Sequence, residues 1–262
     1  MKKLLTLLLL CTASAGYAQN AEAFFETYQE REGWTFSISP YAFLAAQSTD
    51  VEGEAIRQNF KDLSSLTNFG FQAIATAQYE RWFVTVDGTY ALLGSGDQGD
   101  FLEVDFSIRQ WIVDNKVGYV FAGQRLTDEN RVVDVWTLSA TVGAKYWLND
   151  VNLDYTLDIG IGDPITDGFQ EKQEWFDLML GLQSSFVFSP AVKMNIGFDY
   201  GGFGIGNSAK YSWNLNYLNT FKMNDWLLIT AGFRNFQYKR VDDGVDTKVN
   251  VIGPLLGATF VL

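Results

Sequence analysis

Charged side chains inside otherwise apolar segments are the residues of this chain with the clearest capacity for chemistry. They alternate with large apolar residues, which places them on one face of an extended segment. Because both signs occur, they could pair in a closed network or line a water-filled pore. We expect nine of them to face a common interior, namely Asp87, Glu103, Asp105, Arg109, Lys145, Asp177, Lys193, Asp199 and Arg234.

Several classes of site are excluded by residue type and spacing. The chain contains no histidine, which removes hydrolytic mechanisms with an imidazole base and zinc or haem sites built on imidazole. The acidic connections contain no twelve-residue calcium loop. The glycine-rich stretch 201–206 lacks the spacing of a nucleotide loop, so we interpret it as a hairpin loop. We therefore expect no catalytic residue, no metal and no cofactor.

The N-terminus has the pattern of a secretory signal. Lys2 and Lys3 precede a short apolar run, and small residues follow up to Ala18. We predict cleavage after Ala18, a periplasmic segment at 19–33 and one domain at 34–262. Lipidation at Cys11 is disfavoured because a leucine precedes it. The chain has 19 Lys and Arg against 31 Asp and Glu, an acidic balance that argues against nucleic-acid binding.

Alternation with a period of two recurs along the predicted mature chain and predicts an all-β fold. A shift in the apolar phase between Ile108 and Trp111 predicts a bulge, and 61–66 could form a short helix. An extra hairpin within 152–161 would raise the count to twelve, and eight strands is the lower alternative. The ten predicted strands are 34–45, 69–79, 82–93, 102–121, 132–147, 175–188, 192–200, 210–221, 226–238 and 248–262.

The apolar face of these strands could lie inside a soluble sheet or face lipid around a barrel. Aromatic residues concentrate near the strand ends, where interfacial girdles lie; we place Trp147, Trp175 and Phe236 in one girdle. Short turns alternate with long polar connections at 46–68, 94–101, 148–174, 201–209 and 239–247. Both features favour a transmembrane antiparallel up-and-down β-barrel.

The last strand carries a candidate insertion signal. Gly257 is followed by apolar residues at Phe260 and Leu262, a pattern typical of the C-terminal signal read by the barrel-insertion machinery, although Leu262 stands where an aromatic residue is usual. We therefore expect that machinery and outer-membrane lipid to be partners of the chain.

Several segments resemble a family of uncharacterised bacterial outer-membrane β-barrel proteins. The matching pieces are DYGGFGIGN at 199–207 followed by Trp213, GAKYW at 143–147, Trp175 with Asp177, and GPLLG at 253–257. Their order and spacing match across most of the predicted mature chain. The resemblance implies a barrel in the outer membrane and brings no catalytic residues.

Three functions remain open from the sequence. The first is a structural or interaction protein of the outer membrane, with a filled polar lumen and acidic external loops. The second is a narrow channel for small polar solutes, lined by threonine, serine, glycine and asparagine. The third is a soluble ligand-binding barrel, which would need the apolar face inside. The nine charged residues favour the first, because a ten-stranded barrel leaves little free lumen.

Overall fold

A computed structural model describes residues 33–98, 102–126, 133–157 and 165–262. The predicted signal peptide and nearly all of the predicted periplasmic segment lie outside these residues. The elements within them are β1 (Trp34–Phe43), β2 (Ala46–Val51), β3 (Glu54–Gln58), α1 (Phe60–Leu66), β4 (Thr67–Tyr79), β5 (Trp82–Gln98), β6 (Leu102–Arg125), β7 (Val135–Leu157), β8 (Ile165–Ser189), β9 (Val192–Gly201), β10 (Tyr211–Lys222), β11 (Leu227–Asp242) and β12 (Val245–Val261).

Ten of the strands form a closed antiparallel barrel. β1 pairs with β4, each strand from β4 to β12 pairs with the next, and β12 pairs back with β1 through Ser37 opposite Val261. The predicted ten-stranded barrel is thus confirmed. The β2–β3 hairpin lies beside the other half of β12, from Thr247 to Ile252.

The two ends of the barrel differ. At one end, called the turn end, short connections join β4 to β5, β8 to β9 and β10 to β11. At the other, called the loop end, lie the β2–β3 hairpin, α1 and the glycine-rich loop 202–210.

The predicted helix is confirmed as α1, which Asn59 caps by accepting hydrogen bonds from two backbone N–H groups. Within the described residues no helix is long and apolar enough to cross a membrane.

The predicted long loops at 94–101, 148–174 and 239–247 consist mostly of strand in their described residues. β6, β7 and β8 contain 24, 23 and 25 residues, well beyond the roughly 9–11 that cross a bilayer. The β7–β8 ladder runs without a break to Leu157 opposite Ile165, so 148–174 adds no further hairpin to the barrel. The predicted long loop at 239–247 is wrong. β11 continues to Asp242 and β12 begins at Val245, and the two residues between them, Asp243 and Gly244, form a tight turn with φ of 47° and 88°. Strands β5 to β8 thus continue as a panel beyond the closed ring.

The predicted bulge near Ile108 is also wrong. β6 pairs with β5 without interruption through Arg109 and Trp111. The register shift lies instead between Val120 and Ala122, where β6 meets β7 at the turn end. β6 from Val104 to Val120 therefore keeps one alternation of inward and outward residues.

The apolar face of the barrel lies outside. On β8, Phe176, Leu178, Leu180 and Leu182 are exposed, whereas Asp177 between them is fully buried. A soluble barrel would have to turn these side chains inward, because so large an exposed apolar surface is unfavourable in water. The arrangement is that of a transmembrane barrel with a polar interior.

Candidate functional site in the barrel interior

An apolar cluster lies in the interior at the turn end. Val135, Val187, Leu228 and Val261 come from four strands and pack together, each with no more than 6% of its surface exposed. All four follow the inward phase of their strands, beside the short turns. The cluster therefore packs across the interior at the turn end, joining β7 and β8 to β11 and β12.

A hydroxyl-lined cavity of about 250 Å³, the turn-end chamber, lies above this cluster. Serine and threonine side chains bond to each other around its wall: Ser39 donates to Thr259 at 2.8 Å, and Thr259 lies 3.1 Å from Thr230. Thr230 also lies 3.3 Å from Thr220. The wall is polar, yet its hydroxyls largely satisfy one another.

A charged belt crosses the lumen above the turn-end chamber. Arg234 of β11 donates to Asp87 of β5 at 2.6 Å, to the Tyr41 hydroxyl at 2.8 Å and to Asn216 at 2.8 Å. Tyr41 in turn donates to Asp87 at 2.7 Å. Because β5 and β11 are not neighbours, these bonds span the interior instead of following the wall. Each of the three guanidinium nitrogens donates one hydrogen bond, which makes the pair strong and directional.

The second half of the belt joins β6 to β9. Lys116 Nζ lies 2.5 Å from Asp199 and 3.2 Å from Asp114. Asp199 also accepts from Thr141 at 3.3 Å and from Asn214 at 3.3 Å. A Cβ on Gly181 would lie 2.2 Å from Asp199 Oδ1, so only glycine leaves room for this carboxylate to lie across β8.

A larger cavity of about 500 Å³, the loop-end chamber, lies on the other side of the belt. Its wall is mainly apolar and aromatic. Trp147 lies at its centre, with ring centroids 4.8 Å from Tyr238 and 5.9 Å from Phe236. Phe60 and Leu63 of α1 line the same cavity, so the capped helix forms part of its rim. A mostly apolar cavity with a few polar groups is typical of small-molecule sites.

Lys145 is the least expected group in this chamber. Only 4% of its surface is exposed, and Nζ lies 4.7 Å from the centre of the Trp147 ring and 4.8 Å from that of Phe236. Within the described part of the chain, no carboxylate lies within ion-pair distance of Nζ and no acceptor hydrogen-bonds to it. Contact with two ring faces compensates only part of the lost hydration of an ammonium group.

Asp177 connects the chamber wall to the glycine-rich loop. It is fully buried and accepts from the Ala209 N–H at 2.8 Å and from Trp147 Nε1 at 2.9 Å. The loop itself uses left-handed backbone at Phe203, with φ of 62°. Asp177 therefore holds the loop 202–210 against the aromatic wall.

The structure places most of the nine predicted charged residues inside. Asp87, Asp199 and Arg234 belong to the belt, Lys145 and Asp177 lie in or behind the loop-end chamber wall, and Lys193 lines the turn-end chamber. Glu103 lies in β6, but its side chain is outside the described residues.

The inward placement of Asp105 and Arg109 is wrong. Both are exposed and share the outward phase of Trp111, and Arg109 lies 3.7 Å from Asp150. They lie in the panel beyond the ring, where both faces of a strand meet water. Polarity therefore does not indicate orientation at these positions.

Three residues of the belt, Tyr41, Asp114 and Lys116, were not among the nine predicted from the sequence. The predicted position of Trp147, Trp175 and Phe236 in an outer girdle is wrong, because all three side chains are buried. A signal was present for all three, because Trp147 lies two residues from Lys145, Trp175 two from Asp177 and Phe236 two from Arg234. Residues two apart on a strand share a face.

The proposed insertion-signal residues lie at the turn end of β12. Gly257 lines the turn-end chamber, and Phe260 stacks on Trp226 with centroids 6.0 Å apart. The Leu262 N–H donates to the Phe36 carbonyl at 2.9 Å.

Exposed ion pairs mark the loop end. Lys239 Nζ lies 2.8 Å from Asp246, and the hydrogen bond to that carboxylate raises the pKa of Lys239. Lys172 likewise pairs with Glu174 at 3.1 Å, and its hydrogen bond lowers the pKa of that carboxyl group. Solvent and salt screen such pairs, so they contribute little to stability.

Comparison with solved structures shows which fold this is. The outer-membrane protease OmpT of Escherichia coli is 8% identical, with 89% of this chain and 99% of OmpT covered and a TM-score of 0.54. Ail of Yersinia pestis is 13% identical, with 88% and 99% covered and a TM-score of 0.33. No protein-family model matches the chain, and no curated protein does. The chain has the fold of an outer-membrane β-barrel.

Proposed function

We propose that this chain is an integral protein of the bacterial outer membrane with a closed lumen and a structural or interaction role. The observation that carries the proposal is the charged belt, in which Arg234 and Asp87 pair across the interior at 2.6 Å. The apolar outer face supports the membrane location, because lipid is the solvent that accepts it. The turn end then faces the periplasm and the panel faces outward.

Two barriers in series support a closed lumen. The apolar cluster of Val135, Val187, Leu228 and Val261 offers no ligand to a hydrated ion. Above it, passage through the belt requires the Arg234–Asp87 and Lys116–Asp199 pairs to separate. Breaking a buried pair costs about 3–5 kcal/mol when one partner is lost. An ion would meet both barriers within one narrow barrel.

Planar-bilayer recording tests this proposal. We expect purified protein to produce no steady unitary current across a range of voltages and salt concentrations. Insertion is checked separately on the same preparation, since a folded barrel should migrate faster on a detergent gel before boiling than after it. Reproducible unitary steps from correctly inserted protein would refute the closed lumen. Recovery from the periplasmic fraction without detergent would refute the membrane location.

A narrow channel for small polar solutes is the second candidate. One observation favours it: the two chambers lie in line and share Tyr41, Asp87, Asp114 and Arg234 as a common wall. A displacement of the belt would join them. Unitary currents in the recording above would support this function in place of the first.

A further inference from the structure

We propose that the loop-end chamber binds a small apolar molecule carrying one carboxylate, with Lys145 as the residue that holds the carboxylate. This site goes beyond the closed-lumen role and does not depend on it. The chamber volume of about 500 Å³ falls within the roughly 300–1,000 Å³ of small-molecule sites.

The first argument is the state of Lys145. It is more than nine-tenths buried and lines the chamber. Burying an ammonium group is costly unless an acceptor replaces its hydration. A ligand carboxylate would supply that acceptor and the opposite charge together.

The second argument is that the neighbouring acids are already engaged. Asp87 pairs with Arg234, Asp114 pairs with Lys116, and Asp177 accepts from Ala209 and Trp147. Arg234, the other cation of the chamber, uses its donors on Tyr41, Asp87 and Asn216. Lys145, by contrast, makes no hydrogen bond and no ion pair among the residues that the structure describes, so it is the cation of this chamber best able to hold a ligand carboxylate.

The third argument concerns the sign of the ligand charge. Asp114 Oδ1 and Asn214 Oδ1 have no hydrogen-bond partner among the described residues, but both atoms are shut off from the chamber by burial. A cationic ligand would thus find no unpaired carboxylate oxygen exposed to the chamber among the described residues, and the positive charge of Lys145 would repel it. A carboxylate meets an accessible donor, so an anion fits better than a cation with the same body.

The fourth argument is the shape of the apolar wall. Trp147, Phe236 and Tyr238 form one side, and Val249 and Val251 of β12 continue it. Phe60 and Leu63 of α1 lie at the rim nearest the exterior. A ligand entering from the loop end would place its apolar body against these side chains and its carboxylate at the belt.

Isothermal titration calorimetry in dodecyl maltoside tests the proposal with three matched probes. These are 4-phenylbutyrate, its neutral amide and 4-phenylbutylamine, each also titrated into detergent alone. We expect 4-phenylbutyrate to bind most tightly. A charge-assisted hydrogen bond is worth about ten- to a hundredfold in affinity, so Lys145→Met should weaken binding of the carboxylate by that factor. Binding of the amide should weaken much less, because its carbonyl accepts a hydrogen bond but carries no charge.

Two further variants complete the test. Lys248→Met removes an exposed cation from the outer face of β12 and should leave all three affinities unchanged. Val251→Phe keeps Lys145 but fills the chamber, and should weaken both the carboxylate and the amide. Equal affinity for the carboxylate and the amine, no binding to the wild-type protein, or wild-type affinity in Lys145→Met would each overturn the proposal. Gel mobility before and after boiling verifies that each variant is folded.

Discussion

Replacing Arg234 by methionine is expected to lower the free energy of unfolding by about 3–5 kcal/mol. The substitution leaves Asp87 with one hydroxyl donor, Tyr41, in place of a bonded cation. The cost comes from this stranded charge and not from lost packing, because methionine retains most of the apolar volume of the arginine stem. Guanidinium unfolding in lipid vesicles, followed by tryptophan fluorescence, measures it.

The matched control for this variant is the double substitution Arg234→Met with Asp87→Asn. Removing both charges leaves no uncompensated ion, and pairs replaced together often cost little. We expect the double variant to recover most of the lost stability. If the two single effects simply add, the belt does not act as a coupled pair.

Replacing Asp177 by alanine is expected to lower the free energy of unfolding by about 2–6 kcal/mol and to release the glycine-rich loop. Two buried donors, the Ala209 N–H and Trp147 Nε1, lose their acceptor, and each unpaired buried donor costs about 1–3 kcal/mol. Lys210 is exposed at the C-terminal end of this loop. External trypsin should therefore cleave the variant after Lys210 much faster than it cleaves the wild-type protein.

Asp177→Asn provides the matched comparison. Its amide retains one carbonyl acceptor and can keep one of the two bonds, so its stability and trypsin resistance should lie between those of wild type and Asp177→Ala. Equal resistance of all three proteins would show that Asp177 does not hold the loop.

The ring of the barrel could be predicted from sequence because its two faces meet different environments, lipid on the outside and a polar interior on the inside. Phe176 and Leu178 face lipid, whereas Asp177 between them faces the interior. The sequence shows this difference as an alternation of apolar and polar residues. Beyond the ring, Asp105 and Arg109 meet water on either face, so their polarity carried no information on orientation. For the same reason, the segments of the panel within 94–101 and 148–174 were predicted as loops: both of their faces meet water, so their sequences lack the sustained apolar–polar alternation that predicts a strand.

The partners within the belt could not be predicted. Arg234 and Asp87 are 147 residues apart, and the pairing depends on the stagger of ten strands around the axis. Alternation indicates which face a residue occupies and not which residue lies opposite. Tyr41 is a clear case, since it continues the inward phase of Ser37 and Ser39 but could not be linked to either charge.

The panel of β5 to β8 gives the molecule two regimes of local stability. In the closed ring every strand has a neighbour on both sides, so no strand can leave without opening the barrel. Within the panel, β8 bonds to β7 throughout but meets β9 only from Met179 onward. The outer edge of β8, from Ile165 to about Gln173, can therefore fray while the membrane-embedded ring stays intact. Exposed Lys172 and Glu174 on this edge disfavour edge-to-edge association with a second copy.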